Sequence, residues 1–158
     1  MEWTFGKDTQ VPDIRTRLGT PHGIVMECSG LHTHNKRSEC PGLNALVMSY
    51  VANYPAFRER LQVTKTMLMG EVRAKRLQDP DDVPLLDVIT VCRDGFHRPV
   101  ACAELLAFVL LQRGWHVHVE HMHQEFWGWC KGDCRKCLSC EHARAEALEY
   151  ALTTWRRV

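Results

Sequence analysis

Leu85-Leu86-Asp87-Val88-Ile89-Thr90-Val91-Cys92-Arg93-Asp94-Gly95-Phe96-His97-Arg98-Pro99 decides the reading of this chain. Its first seven residues are nearly all apolar or β-branched, the pattern of a strand buried on both faces of a parallel sheet. Pro99 stands where a helix has its first turn and Gly114 where one stops, so a helix is predicted over Val100–Arg113. Beyond it, Trp115–Glu120 alternates Val117 and Val119 against His116, His118 and Glu120, the period of a strand with one polar face. Strand, helix and strand in this order read as a crossover between parallel strands.

Working outward, Gly23-Ile24-Val25-Met26 runs into Glu27-Cys28 as a further strand, and Leu31–Gly42 is a polar, histidine-bearing loop. Asn44–Ala52 carries Leu46, Val47, Tyr50 and Val51 at helical spacing. Pro55 closes that helix and opens the next, Ala56 to about Leu77, with Phe57, Leu61, Met67, Leu68 and Val72 as its buried stripe. The fold class is therefore α/β: a single domain with a parallel or mixed sheet flanked by helices, followed by a cysteine-rich C-terminal extension. A chain of 158 residues is long enough for one such core.

The bulk numbers exclude some functions. A formal net charge of +1 offers no global field for nucleic acid, so any such binding needs a local patch. The longest apolar run, Leu105–Leu111, falls far short of the roughly 20 residues of a membrane span. Met1–Gln10 lacks the basic start and apolar stretch of a secretory signal, and a reducing, cytoplasmic setting is expected. Of the eight cysteines, Cys28, Cys40, Cys92 and Cys102 are scattered, as small apolar packing residues are, whereas Cys130, Cys134, Cys137 and Cys140 crowd together.

In open α/β sheets, ligands collect beyond the carboxyl ends of the strands. Three polar clusters fall there by sequence position: His32 and His34, then Cys92 to Arg98, then His121 and His123. A loop entering a helix from a buried strand aims unpaired N–H groups and a partial positive charge outward, which suits an anion. Gly95 allows close backbone approach, Arg98 supplies a two-pronged donor, and His97 a donor whose charge varies near neutral pH. The plain alternative is an ordinary strand-to-helix turn with a surface arginine. His121 and His123, with His32 or His34, suit either a second metal site or the rim of the pocket, and the rim is the reading taken. His116 and His118 are expected at the surface or in packing.

Cys92, five residues and Arg98 also match the signature loop of protein tyrosine phosphatases, in which a thiolate attacks phosphorus and the arginine holds the equatorial oxygens. Pro99 in place of the usual hydroxyl residue, and the negative charge of Asp94, count against a cysteine phosphatase.

With its flanks, the chain resembles the carboxyl-terminal domain of the RNase adapter protein RapZ, whose signature is close to Cys-Thr-Gly-Gly-Gln-His-Arg-Ser after an apolar strand. Cys92, Gly95, His97 and Arg98 match it position by position, while Arg93, Asp94, Phe96 and Pro99 depart from it. Trp3-Thr4-Phe5-Gly6-Lys7 is similar to the family's opening segment, Glu27 to the acid ending its first strand, and Pro41–Tyr54 to its helix after the loop. The resemblance implies a non-catalytic domain over 1–125 that binds a sugar phosphate, with Cys92, Gly95, His97 and Arg98 at the matching positions; Arg93, His32, His34, His121 and His123 join the candidate ligand set by their place at the same edge. The resemblance also implies RNA or an RNase as partner; beyond it, 126–158 reads by its own composition as a tryptophan- and cysteine-rich clip and closing helix. The phosphate-binding glycine loop of nucleotide hydrolases does not occur, so no nucleotide cofactor is expected. For RNA the best patch is Arg73, Lys75 and Arg76 with Lys36 and Arg37, although basic residues at a helix carboxyl end commonly just complement its dipole.

Cys130, Cys134, Cys137 and Cys140 place four soft ligands within eleven residues. In a reducing setting this suits a structural zinc ion that clips Phe126–Trp129 to the domain and starts a closing helix over Glu141–Trp155. Unliganded thiols or a disulfide are the alternative, and a small iron–sulfur cluster a third. The first three cysteines also spell the cluster triplet of radical enzymes that cleave S-adenosylmethionine, but only 18 residues follow Cys140 here.

Overall fold

A computed structural model of the protein describes residues 23–28, 44–81, 83–92, 97–121 and 138–158. Strands β1 (Gly23–Glu27) and β2 (Asp87–Val91) pair in parallel, with Gly23 opposite Asp87 and Glu27 opposite Val91. The ladder runs one residue further, the Cys28 amide donating to the Val91 carbonyl at 2.7 Å. Because side chains alternate along a strand, Ile24, Met26 and Cys28 share a face with Val88, Thr90 and Cys92. The first three are fully buried, and Val88 and Cys92 pack against the same core.

Among the described residues, two helices lie between the strands in chain order. Helix α1 (Ala45–Asn53) starts where the Asn44 side-chain oxygen accepts from the Leu46 amide at 2.9 Å, satisfying a donor that the helix itself cannot. Tyr54 separates it from α2 (Pro55–Gln78), whose first residue is the proline, at the position where a missing N–H costs nothing. After β2, α3 (Arg98–Gln112) is tied back to the strand by the Thr90 hydroxyl, which donates to the Pro99 carbonyl at 2.9 Å. α3 ends as expected at Gly114, φ 80°. The Trp115 amide reaches the Leu110 carbonyl and the Gly114 amide the Leu111 carbonyl, both at 3.0 Å. An added Cβ on Gly114 meets nothing within 4 Å, so Gly114→Ala is expected to cost only the left-handed backbone penalty, about 1 kcal/mol. Chemical denaturation measures it.

Helix α4 (Leu138–Arg157) packs against α1, α2 and α3. Its Ala147, Ala151, Leu152 and Trp155 join residues of both strand and helix origin in one buried cluster. Lys65 of α2 closes its far end, donating to the Trp155 carbonyl at 2.9 Å and the Val158 carbonyl at 2.7 Å with its ammonium 5.3 Å from the Trp155 ring centroid. The chain is thus α/β, with a helix-flanked parallel pair.

Several expectations are corrected. β2 begins at Asp87, and Leu85 is 81% exposed. The Lys75 ammonium donates to the Leu85 carbonyl, fixing that backbone outside the sheet. β2 is half-buried rather than buried on both faces. Trp115–Glu120 keeps its alternation, with Trp115 and Val117 against the core and His116 and His118 exposed, yet it joins no ladder among the described residues. Hydrophobic alternation decides which side chains face inward; it does not specify a neighbouring backbone to pair with. The parallel connection is instead the one from β1 through α1 and α2 to β2. On α1, Leu46 and Tyr50 are exposed, and the face turned inward is Ala45, Val47, Met48, Val51 and Ala52. Small residues there admit α4, which presents Ala147 and Ala151. On α2, Thr64 is buried where Met67 is only partly so.

Candidate functional site

A cysteine directly follows each strand, Cys28 after β1 and Cys92 after β2, and α3 begins at the far side of the loop that leaves Cys92. The first turn of α3 carries no acidic residue, and His97 at its N-cap makes no side-chain cap. The positive end of the helix is therefore not offset from within its own first turn. Arg98, the first helical residue, is half-buried, as are His97 and Cys92.

Cys102 reports how these groups sit. Its thiol is fully buried one turn into α3, and burial pushes its pKa well above the ordinary 9.0. A thiol hydrogen bond with Cys28 and the charges of Cys28 and Cys92 raise it further, while the Arg98 guanidinium pulls it down. Cys92 and Arg98, the two ends of the loop, thus both lie close enough to act on one buried sulfur. The unfolded chain loses this proton as pH rises through 9.0, whereas the folded chain holds it. The stabilisation is complete below that value and is lost as pH climbs through the raised folded value. Melting temperature is expected to fall above pH 9.0, and Cys102→Ala to lower the baseline but flatten that decline.

His121 comes back to the same end of the molecule. Its Nε2 donates to Glu104 Oε1 at 2.9 Å, and Arg144 Nη2 of α4 lies 3.5 Å from Glu104 Oε2. The His121 and Glu104 side chains are only 12% and 21% exposed. Glu104 therefore joins the segment after α3 to α4 beside the first turns of α3. Sequence reading missed it, and the available signal was the lone charged residue of the otherwise apolar Pro99–Leu111 run.

Of the residues singled out from sequence, Cys92, His97, Arg98 and His121 are described. Arg93, Asp94, Gly95, His32, His34 and His123 lie outside the described residues, as do Cys130, Cys134 and Cys137 and the side chain of Cys140. Among the described residues no group of three or more His, Cys, Asp or Glu is arranged to hold a metal ion. Arg73 and Arg76 are exposed, Lys75 is held by the Leu85 carbonyl, and Lys36 and Arg37 lie outside the described residues. Among the described residues no helix is long and apolar enough to cross a membrane.

No curated protein matches the chain, and neither does any solved structure. Residues 19–125 match the family model of the RapZ C-terminal domain. Since that span is more than half of the sequence, the chain belongs to the RapZ C-terminal domain family.

Proposed function

We propose that the domain binds a phosphorylated small molecule of the sugar-phosphate class beyond the carboxyl ends of β1 and β2, acting as a sensor or adapter without turning its ligand over. What supports this is the junction of β2 and α3, with Cys92 just beyond the strand and His97 and Arg98 opening a helix whose first turn carries no acidic residue. In this reading Arg98 grips phosphate oxygens, and the amides of the loop through Arg93 and Gly95 to His97 cradle the anion with the helix terminus. In the same reading His121, oriented by Glu104, would stand at the rim, to which His123, His32 and His34 are assigned by sequence position alone. The ligand state of this rim would be read by an RNA or RNase partner in a reducing, cytoplasmic setting.

The four-cysteine segment completes the proposal. Cys130, Cys134, Cys137 and Cys140 carry the donor set of a structural zinc ion, and Cys140 lies in the first turn of α4. Such an ion would anchor the start of a helix whose other end is already seated in the core. Metal analysis of the purified protein is expected to find zinc, lost in a Cys130→Ser, Cys134→Ser variant; iron or empty thiols would replace this part of the reading.

Thermal unfolding of the full chain with inorganic phosphate, sugar phosphates and nucleotides tests the main claim. A ligand at about one hundred times its Kd stabilises by about 2.7 kcal/mol, a shift well above measurement error. No shift with any anion would end the proposal. Hydrolysis of an aryl phosphate that disappears in Cys92→Ser would replace it with phosphatase chemistry.

A further inference from the structure

Three of the scattered cysteines are brought together by the fold. The β1–β2 register, continued by the Cys28 amide bond to the Val91 carbonyl, sets Cys28 beside Cys92 on one face of the parallel pair. Cys102 reaches the same buried cluster from α3, and the Cys28 thiol donates to the Met26 carbonyl at 3.4 Å. Cys28 and Cys102 are fully buried, Cys92 is half-buried, and none of the three is in a disulfide. Cys28 is far in sequence from Cys92 and Cys102, so only the tertiary arrangement makes it their neighbour.

We propose that this cluster is an oxidative modification site, in which Cys92 reacts with a hydroperoxide and Cys28 captures the product as a disulfide. Cys92 is the entry point because it is the least buried member of the set, standing directly after β2 and across the loop from Arg98. Its sulfur attacks the distal peroxide oxygen; an S–O bond forms, the O–O bond breaks, and water or an alcohol departs with the thiol proton. Cys92 is thereby oxidised to a sulfenic acid and the peroxide is reduced. The Cys28 sulfur then attacks the Cys92 sulfur; an S–S bond forms, the S–O bond breaks, and the hydroxyl leaves as water with the proton of Cys28.

The step needs no bound anion, so it stands or falls separately from ligand binding. The test treats the reduced full-length protein with stoichiometric hydrogen peroxide, blocks remaining thiols, and maps peptides without reduction. A Cys28–Cys92 linked peptide is expected, reversible by dithiothreitol. In Cys28→Ala and Cys28→Ser, each checked for a cooperative melt, Cys92 is expected to accumulate as a sulfenic acid trapped by dimedone. Cys92 left fully alkylatable after peroxide, or paired with a cysteine of 130–140 instead of Cys28, would overturn the proposal. So would over-oxidation of Cys92 at the same rate with and without Cys28.

Discussion

Arg98→Ala is expected to weaken phosphate binding roughly 10- to 150-fold, equivalent to the roughly 1.5–3 kcal/mol carried by a charge-assisted hydrogen bond. Stability without ligand should change far less. A cation at the first position of a helix opposes the helix dipole by about 0.3–1 kcal/mol, so its removal returns some of what is lost in local contacts. Arg98 is thus poorly placed for stability, as functional residues commonly are. Arg98→Lys keeps the charge and loses the planar fork, so an intermediate affinity is expected. Titration calorimetry with the ligand that most raises the melting temperature separates these cases. Equal affinity in all three proteins would show that the guanidinium does not touch the anion.

The second large effect is structural. Trp155 is 4% exposed, and Trp155→Ala is expected to destabilise the protein by about 3–5 kcal/mol, the range for large aromatic deletions from a core. Its neighbour separates packing from capping. Lys65→Ala removes the ammonium from the Trp155 ring and from the last carbonyls of α4, and should cost only about 1–2 kcal/mol. Urea denaturation of both variants checks the order. A loss below about 1 kcal/mol for Trp155→Ala would mean that α4 does not seat as described. The point bears on the family as well, since α4 lies beyond the span that matches the RapZ C-terminal domain yet contributes to the same core.

Local chemistry made much of the fold legible. Pro55 and Pro99 at helix starts, Asn44 as a cap and Gly114 as a stop each act through the backbone of their own neighbourhood, so helix boundaries could be read to within a few residues. The ends of the central loop were legible for the same reason: Cys92 and His97-Arg98 straddle a strand-to-helix junction whose electrostatics follow from the peptide group. The inward faces of α1 and α2 were less so. Leu46 and Met67 satisfy helical periodicity as well as Ala45 and Thr64 do, and the choice between them depends on which partner helix arrives.

What the amino-acid order determined alone is the order of the helices and of the two paired strands, and membership of the family. The tertiary structure alone decided that Trp115–Glu120 stays outside the described sheet, that Glu104 links His121 to Arg144, and that Cys28, Cys92 and Cys102 meet. Periodicity and caps are properties of a few adjacent residues, whereas these meetings depend on distant segments excluding water from one shared core.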